Sequence, residues 1–328
     1  MKKFMNDVDA MLHESLAGFG LCHGDLVVVD AENRFVRRRA ATPGKVALIS
    51  GGGSGHEPLH IGFIGRGMLD AACPGAIFTS PTPDQMVAAA EAVDAGAGCL
   101  FIVKNYEGDT MNFAMASELL DGKVETVLTD DDVAVERSSF SIGRRGVAGT
   151  LVVEKIVGAA AERGDALGDL QRLGTAVNGA TRSMGVALTS CTVPAAGRPT
   201  FDLGEAEIEM GVGIHGEPGR RRVPLESADA IAREMVAAIA ADLAVAHSDV
   251  LLLVNGFGGT PLSELYLMYG AARRELEAAG ATVTRSLTGS YVTSLEMAGC
   301  SITVTKLDAA LTALWDAPVV TPALRWGA

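Results

Sequence analysis

The chain has 328 residues, 48% hydrophobic and 20% charged, a composition that fits one large or two medium globular domains. Its 40 acidic and 27 basic residues leave a formal net charge of −13, which excludes nucleic acid or an anionic membrane surface as a partner, because either needs a basic face. Five scattered cysteines without a CxxC pair, an N-terminus that turns acidic before any apolar run, and no stretch of the roughly 18 apolar residues a membrane span needs lead to the expectation of a soluble, cytoplasmic protein with reduced thiols.

In chain order, 45–50 (Lys-Val-Ala-Leu-Ile-Ser) reads as a buried strand running into a glycine loop. Residues 84–94 read as a helix, 99–104 (Cys-Leu-Phe-Ile-Val-Lys) as a second buried strand and 123–128 as a third. Apolar runs that are continuous rather than alternating, separated by helices, predict a mostly parallel sheet with helices on both faces. Ligands of such sheets sit beyond the carboxyl ends of the strands, where His56 and Asp109 fall. Two helices follow, at 150–163 and 167–177. The pattern changes near residue 183, and a domain boundary is expected there: an N-terminal α/β domain over 1–183 and a smaller second α/β domain over 184–328. In the second, 186–191 starts a strand and 203–213 contains an alternating one. Ser227 caps a helix whose Ile231, Met235, Ile239 and Leu243 repeat every four residues along one face. A buried strand at 249–255 then ends in a glycine turn, and a helix runs on to about residue 279.

Three glycine-crowded segments carry polar residues that could do chemistry. His215 stands in Glu-Ile-Glu-Met-Gly-Val-Gly-Ile-His-Gly-Glu-Pro-Gly, 207–219, where backbone or ligand can approach the imidazole closely; taken alone it is equally a buried, hydrogen-bonded ring. The loop 50–55 could cradle a phosphate at a helix N-terminus or be only a tight turn, and it matches neither the P-loop nor the G-x-G-x-x-G fingerprint. His56-Glu57-Pro58-Leu59-His60 matches the zinc signature H-E-x-x-H in form. Pro58, however, is tolerated only in the first turn of a helix, which leaves His56 in the loop and the two imidazoles apart. Asp109 could cap a helix beginning near Thr110, and Lys104 at a strand end could be solvated. Asp130-Asp131-Asp132 reads as a solvated turn before it reads as a magnesium site. No metal is expected on the chain.

Taken together, five ordered segments resemble the dihydroxyacetone-binding subunit family of dihydroxyacetone kinases. They are Gly-Gly-Gly-Ser-Gly-His-Glu-Pro at 51–58, Lys-Asn-Tyr-Glu-Gly-Asp at 104–109, Gly-Arg-Arg-Gly-Val-Ala-Gly-Thr at 143–150, Gly-Ile-His-Gly-Glu-Pro-Gly at 213–219 and Asn-Gly-Phe-Gly-Gly-Thr-Pro at 255–261. The resemblance runs from about residue 8 to residue 325. It implies a two-domain α/β homodimer acting in glycerol metabolism, with a short keto sugar as substrate. The nucleotide, ATP or ADP with magnesium, is expected on a separate kinase subunit rather than on this chain. It further implies that His215 adds to the substrate carbonyl as a hemiaminal, that Gly53 and Lys104 contact substrate oxygens, and that Asp109 is the general base assisted or oriented by His56. A four-carbon ketose such as erythrulose, or a non-catalytic sensor that reports the ketose to a transcription regulator, are the alternatives.

Overall fold

The computed structural model describes residues 2–134, 143–217 and 219–327; Pro218 of the histidine-bearing segment lies outside the described residues. The first sheet is built from β1 (Val27–Val29), β2 (Val36–Arg38), β3 (Ala47–Ser54), β4 (Ala71–Ile77), β5 (Cys99–Lys104) and β6 (Val124–Thr129), in the order β1-β2-β4-β3-β5-β6. The pairs β4–β3, β3–β5 and β5–β6 are parallel, and the β1–β2 hairpin joins antiparallel at the edge. All of β3 and β5 is buried, as continuous apolar runs require when helices cover both faces. Helices α1 (Met11–Cys22), α2 (Pro83–Val93), α3 (Glu107–Leu119), α4 (Gly149–Arg163) and α5 (Leu167–Gly179) accompany it. Pro83 at the start of α2, behind a Thr82–Gln85 capping box, fixes that helix's entry.

The second sheet holds β7 (Thr181–Ala187), β8 (Glu207–Met210), β9 (Arg221–Pro224), β10 (Asp249–Gly256), β11 (Thr282–Gly289) and β12 (Gly299–Leu307), ordered β11-β10-β12-β7-β8-β9. Only β10–β11 is parallel. Helices α6 (Ala228–Asp242) and α7 (Leu262–Ala278) lie against it, and α8 (Ala309–Asp316) with the short pair β13 (Val319–Val320) and β14 (Arg325–Trp326) completes the chain. Among the described residues no helix is long and apolar enough to cross a membrane.

The strand expected over 186–191 instead spans Thr181–Ala187. Its polar start, Thr181 and Ser183, is buried because these hydroxyls pair across the ladder with Thr305 (2.9 Å) and Thr303 (2.7 Å) of β12. Beyond it, Leu188 and Thr189 both turn their amides to the Ala298 carbonyl and leave the strand. Ser227 caps α6 as expected, its hydroxyl accepting from the Ala230 amide.

Helix α4 lies between the two sheets, and its residues from Gly149 to Ala161 are all buried. One hydrophobic cluster takes Leu48 and Ile102 from the first sheet, Val153 and Val157 from α4, and Leu251 and Leu253 from the second. The two sheets therefore share packing, which holds loops from both in fixed relation. Asp131 and Asp132, expected in a solvated turn, are buried beside the start of α4. Asp131 accepts from the amides of Val147 (2.9 Å) and Gly149 (2.8 Å) and from the Ser183 hydroxyl, while Asp132 pairs with Arg145 at 2.6 Å. Asp130 accepts from the Asn178 side chain. Asp131 and Asp132 can be buried because each has donors to satisfy it. Replacing Asp131 by alanine strands two backbone amides and a hydroxyl in the interior and is expected to lower the unfolding free energy by about 2–4 kcal/mol in urea titration; a loss of less than about 0.5 kcal/mol would contradict this role.

Candidate active site

The carboxyl ends of β3 and β5 supply two walls of the site. At the end of β3 the backbone at Gly53 passes so close to the Phe78–Thr79 turn that a Cβ would lie 2.6 Å from the Thr79 nitrogen and 2.7 Å from the Phe78 Cα. Only glycine fits there. His56 follows, 1% exposed, in a turn tied to the second sheet: the amides of Thr293 and Leu295 donate to the carbonyls of His56 (3.2 Å) and Gly55 (2.9 Å). The His56 Nδ1 lies 2.7 Å from the Thr293 carbonyl. A carbonyl only accepts, so Nδ1 carries the proton and Nε2 presents its lone pair. Burial, with help from His215 and Lys104, pushes the His56 pKa well below its ordinary value, which keeps the ring neutral.

Lys104 closes β5 and is fully buried, against the expectation of a solvated side chain. Its ammonium stands 3.6 Å from Asp109 Oδ2, 3.0 Å from His60 Nε2 and 3.4 Å from the Gly51 carbonyl. Asp109 does not cap a helix starting near Thr110. Extended backbone at Tyr106 lets α3 begin at Glu107, and the Thr110 amide already bonds the Tyr106 carbonyl at 2.9 Å. Asp109 thus sits in the first turn, 3% exposed, where the helix dipole favours a carboxylate.

The third wall comes from the loop between β8 and β9. His215 is held among aromatic rings: Tyr106 at 4.4 Å and Phe78 at 5.3 Å between centroids, both edge-on, and His56 at 4.7 Å. His56 in turn stacks on Phe78 at 4.9 Å. The His215 Nδ1 is 3.2 Å from Glu217 Oε1, and the His215 amide donates to Oε2 of the same carboxylate at 3.0 Å. Burial works to raise the Glu217 pKa, but His215, its hydrogen bond and Arg145 overcome it and bring the carboxyl down to about 2. An ionised Glu217 accepts from Nδ1–H and leaves the Nε2 lone pair of His215 free.

These walls enclose a cavity of about 720 Å³ lined by Gly53, Phe78, Tyr106, Asp109, Asn112, Thr200, His215 and Glu217 among others. Gly53, Asp109 and His215 thus face the cavity, while His56 and Lys104 are covered and stand behind its lining. Three buried polar atoms here have no hydrogen-bond partner: His56 Nε2, Asp109 Oδ1 and the Tyr106 hydroxyl. Buried polar groups are as a rule satisfied, and a ligand rich in hydroxyls would complete these three. The H-E-x-x-H histidines diverge as expected. His56 turns to Thr293, and His60 turns to Glu154 and Lys104. Sequence reading missed Phe78, Tyr106, Glu217 and Thr293. Glu217 and Tyr106 lie inside the glycine-rich segments and were legible there as polar neighbours of the key residues. Phe78 and Thr293 join only through tertiary contact.

Residues 17–323 match the Dak1 domain family. The chain is 49% identical to the dihydroxyacetone-binding subunit DhaK of the PEP-dependent dihydroxyacetone kinase of Escherichia coli (strain K12), across 100% of both sequences. Its fold is similar to the dihydroxyacetone kinase of C. freundii, with a TM-score of 0.89 and 33% identity over 99% of this chain and 60% of that one. It is equally similar to the dihydroxyacetone kinase operon co-activator Dha-DhaQ, with a TM-score of 0.90 and 33% identity over 94% of this chain and 97% of that one.

The Glu217 pKa falls from 4.5 to about 2 on folding, so its stabilising effect is present above the unfolded value and is lost as pH drops through the folded one. The stability gap between wild type and Glu217→Gln is therefore expected to narrow by up to about 3 kcal/mol as pH falls from 5 toward 2. A gap that stays constant in urea unfolding across that range would contradict the charge pairing.

Proposed function

The chain belongs to the dihydroxyacetone kinase family through its Dak1 domain, and from that premise we propose that it captures dihydroxyacetone on His215 and presents it for phosphorylation to dihydroxyacetone phosphate. The observation that carries this is the pair of unpartnered buried acceptors, His56 Nε2 and Asp109 Oδ1, around a cavity whose opposite wall is a carboxylate-oriented imidazole.

Nε2 of His215 adds to the carbonyl carbon, which leaves the ring cationic and the former carbonyl oxygen anionic. Glu217, ionised beside Nδ1, stabilises that cation. The Nδ1 proton is given up and the oxygen is protonated, so the product is a neutral hemiaminal and no water is lost. An alcohol such as glycerol has no carbonyl and is rejected at this step. At the accepting hydroxyl, Asp109 Oδ1 takes the proton as the oxygen attacks the donor phosphorus and the nucleoside diphosphate leaves; His56 Nε2, which has no proton to give, assists by offering a second acceptor for that same proton. Gly53 serves the substrate's other oxygens; for Lys104 to serve one as well, a proton now directed at Asp109, His60 or the Gly51 carbonyl has to turn to it. A base so placed contributes about 10²–10⁴-fold, and fixed orientation of the captured sugar adds to that.

The donor nucleotide with magnesium belongs to a separate kinase subunit, a division supported by the binding-subunit relative that this chain matches from end to end. We extend the reading to a cytoplasmic homodimer on the strength of the family resemblance. The division into 1–183 and 184–328 rests on the second sheet, whose first strand, β7, begins at Thr181 and straddles that boundary. A six-heavy-atom triose takes no more than about six water volumes, roughly 180 Å³, which leaves most of the 720 Å³ cavity for the incoming phosphate. The same surplus admits a four-carbon ketose as a second substrate. A purely sensory role has no use for a base beside the accepting hydroxyl.

Asp109→Asn is expected to reduce phosphorylation of dihydroxyacetone, assayed with the nucleotide-bearing subunit, by about 10²–10⁴-fold while the ketose still binds. Turnover within a factor of about three of wild type would remove Asp109 from the role of base.

A further inference from the structure

A chain of buried groups runs inward from the site: Asp109, Lys104, His60 and Glu154, contributed by α3, β5, the turn after β3, and α4. Each link is short. Lys104 Nζ is 3.6 Å from Asp109 Oδ2 and 3.0 Å from His60 Nε2, and His60 Nδ1 is 2.6 Å from Glu154 Oε1. Lys104 and Glu154 are wholly covered and His60 is 5% exposed. The phosphoryl-transfer scheme uses neither His60 nor Glu154.

The direction of every hydrogen bond follows from donor and acceptor accounting. An ammonium only donates, so His60 Nε2 accepts from Lys104 and the ring proton is on Nδ1, which donates to Glu154 Oε1. Ser50 gives the same answer independently. Its hydroxyl spends its one proton on the Ile102 carbonyl at 2.6 Å, so its oxygen, 3.0 Å from His60 Nδ1, has to accept from that nitrogen. Burial, followed by Lys104 and His56, pushes the His60 pKa well below its ordinary value, which agrees with a neutral ring. Burial raises Glu154 to about 8, so at neutral pH it is mostly a carboxylic acid whose Oε1 still accepts. The charge partner of the Lys104 ammonium is then Asp109. Space for the chain is reserved at Gly52, where a side chain would strike the Lys104 ammonium.

We infer that His60 and Glu154 are positioning residues for the base: they hold the Lys104 ammonium so that it engages Asp109 by Oδ2 and leaves Oδ1 turned to the accepting hydroxyl. Glu154 fixes the tautomer of His60, His60 fixes the position of Lys104, and Lys104 fixes the rotamer of Asp109. Three of the four groups do not line the cavity. The inference rests on Asp109 acting as the base, as proposed above.

Two measurements test it, one of them independent of catalysis. Long-range ¹⁵N–¹H spectra of histidine-labelled protein, with His60→Gln for assignment, are expected to show His60 as a neutral ring protonated on Nδ1 from pH 6 to 8. A ring protonated on Nε2, or one that becomes an imidazolium in that range, would overturn the chain. In the second, His60→Leu lowers kcat for dihydroxyacetone phosphorylation by about 10–100-fold, the effect of losing one hydrogen bond to a charged group. His60→Gln, which keeps an acceptor for Lys104, and Glu154→Gln, which keeps one for His60, recover most of that loss. The captured-ketose adduct on His215 persists in all three. A kcat for folded His60→Leu within about twofold of wild type, or no recovery in either glutamine variant, would overturn the positioning role. Absence of the adduct in wild type, with the Nδ1–H tautomer intact, would instead sink the reading of the site.

Discussion

An ammonium sealed inside a protein has to be paired and hydrogen-bonded, because an isolated buried charge costs several kcal/mol. Lys104, at the carboxyl end of β5 with no exposed surface, meets that requirement with Asp109, His60 and the Gly51 carbonyl. Those partners come from three elements, so the charge fixes how β3, β5 and α3 meet at the end of the sheet. It also dictates where side chains cannot be, which is one reason the strand ends in a run of glycines. The proposed base is thereby placed by a structural necessity of the first sheet rather than by a flexible loop.

The proposed nucleophile is held from the other side. The loop after β8 carries His215, while His56 of the first sheet is pinned through Thr293 to the segment between β11 and β12. The two imidazoles meet edge-on at 4.7 Å because the sheets share the layer that contains α4. Electrostatics differ sharply on the two walls. Behind His215 lies a carboxylate held down to about 2 with Arg145 and Asp132 beneath it. Behind Asp109 lies a cation followed by neutral groups. One wall suits the cationic ring that the proposed addition creates, and the other orients the carboxylate proposed as the base.

Much of this was legible in the residues, and for identifiable reasons. The strands at 99–104 and 249–255 were readable because continuous apolar runs can only be buried, and α6 because its four-residue repeat marks one face. Strand β12 escaped notice because Ser301, Thr303 and Thr305 look like surface residues until β7 supplies matching hydroxyls. Lys104, Asp109, Asp131 and Asp132 were read as solvated or capping for the same reason: burial of a charge depends on partners far away in sequence. At the site, the glycine-crowded histidines could be picked out and His56, Asp109 and His215 do converge. The carboxylate that orients His215 and the aromatic cage around it could not be ranked without the fold, since neither spacing nor composition encodes which rings touch.

Covalent capture is most directly tested with dihydroxyacetone carrying ¹³C at the carbonyl, bound to wild type and to His215→Ala and observed by NMR under native conditions. Capture on His215 predicts a tetrahedral carbon signal in the wild-type complex, an added mass equal to the whole sugar, and neither in His215→Ala. A wild-type complex in which the bound sugar keeps its trigonal carbonyl carbon would contradict it.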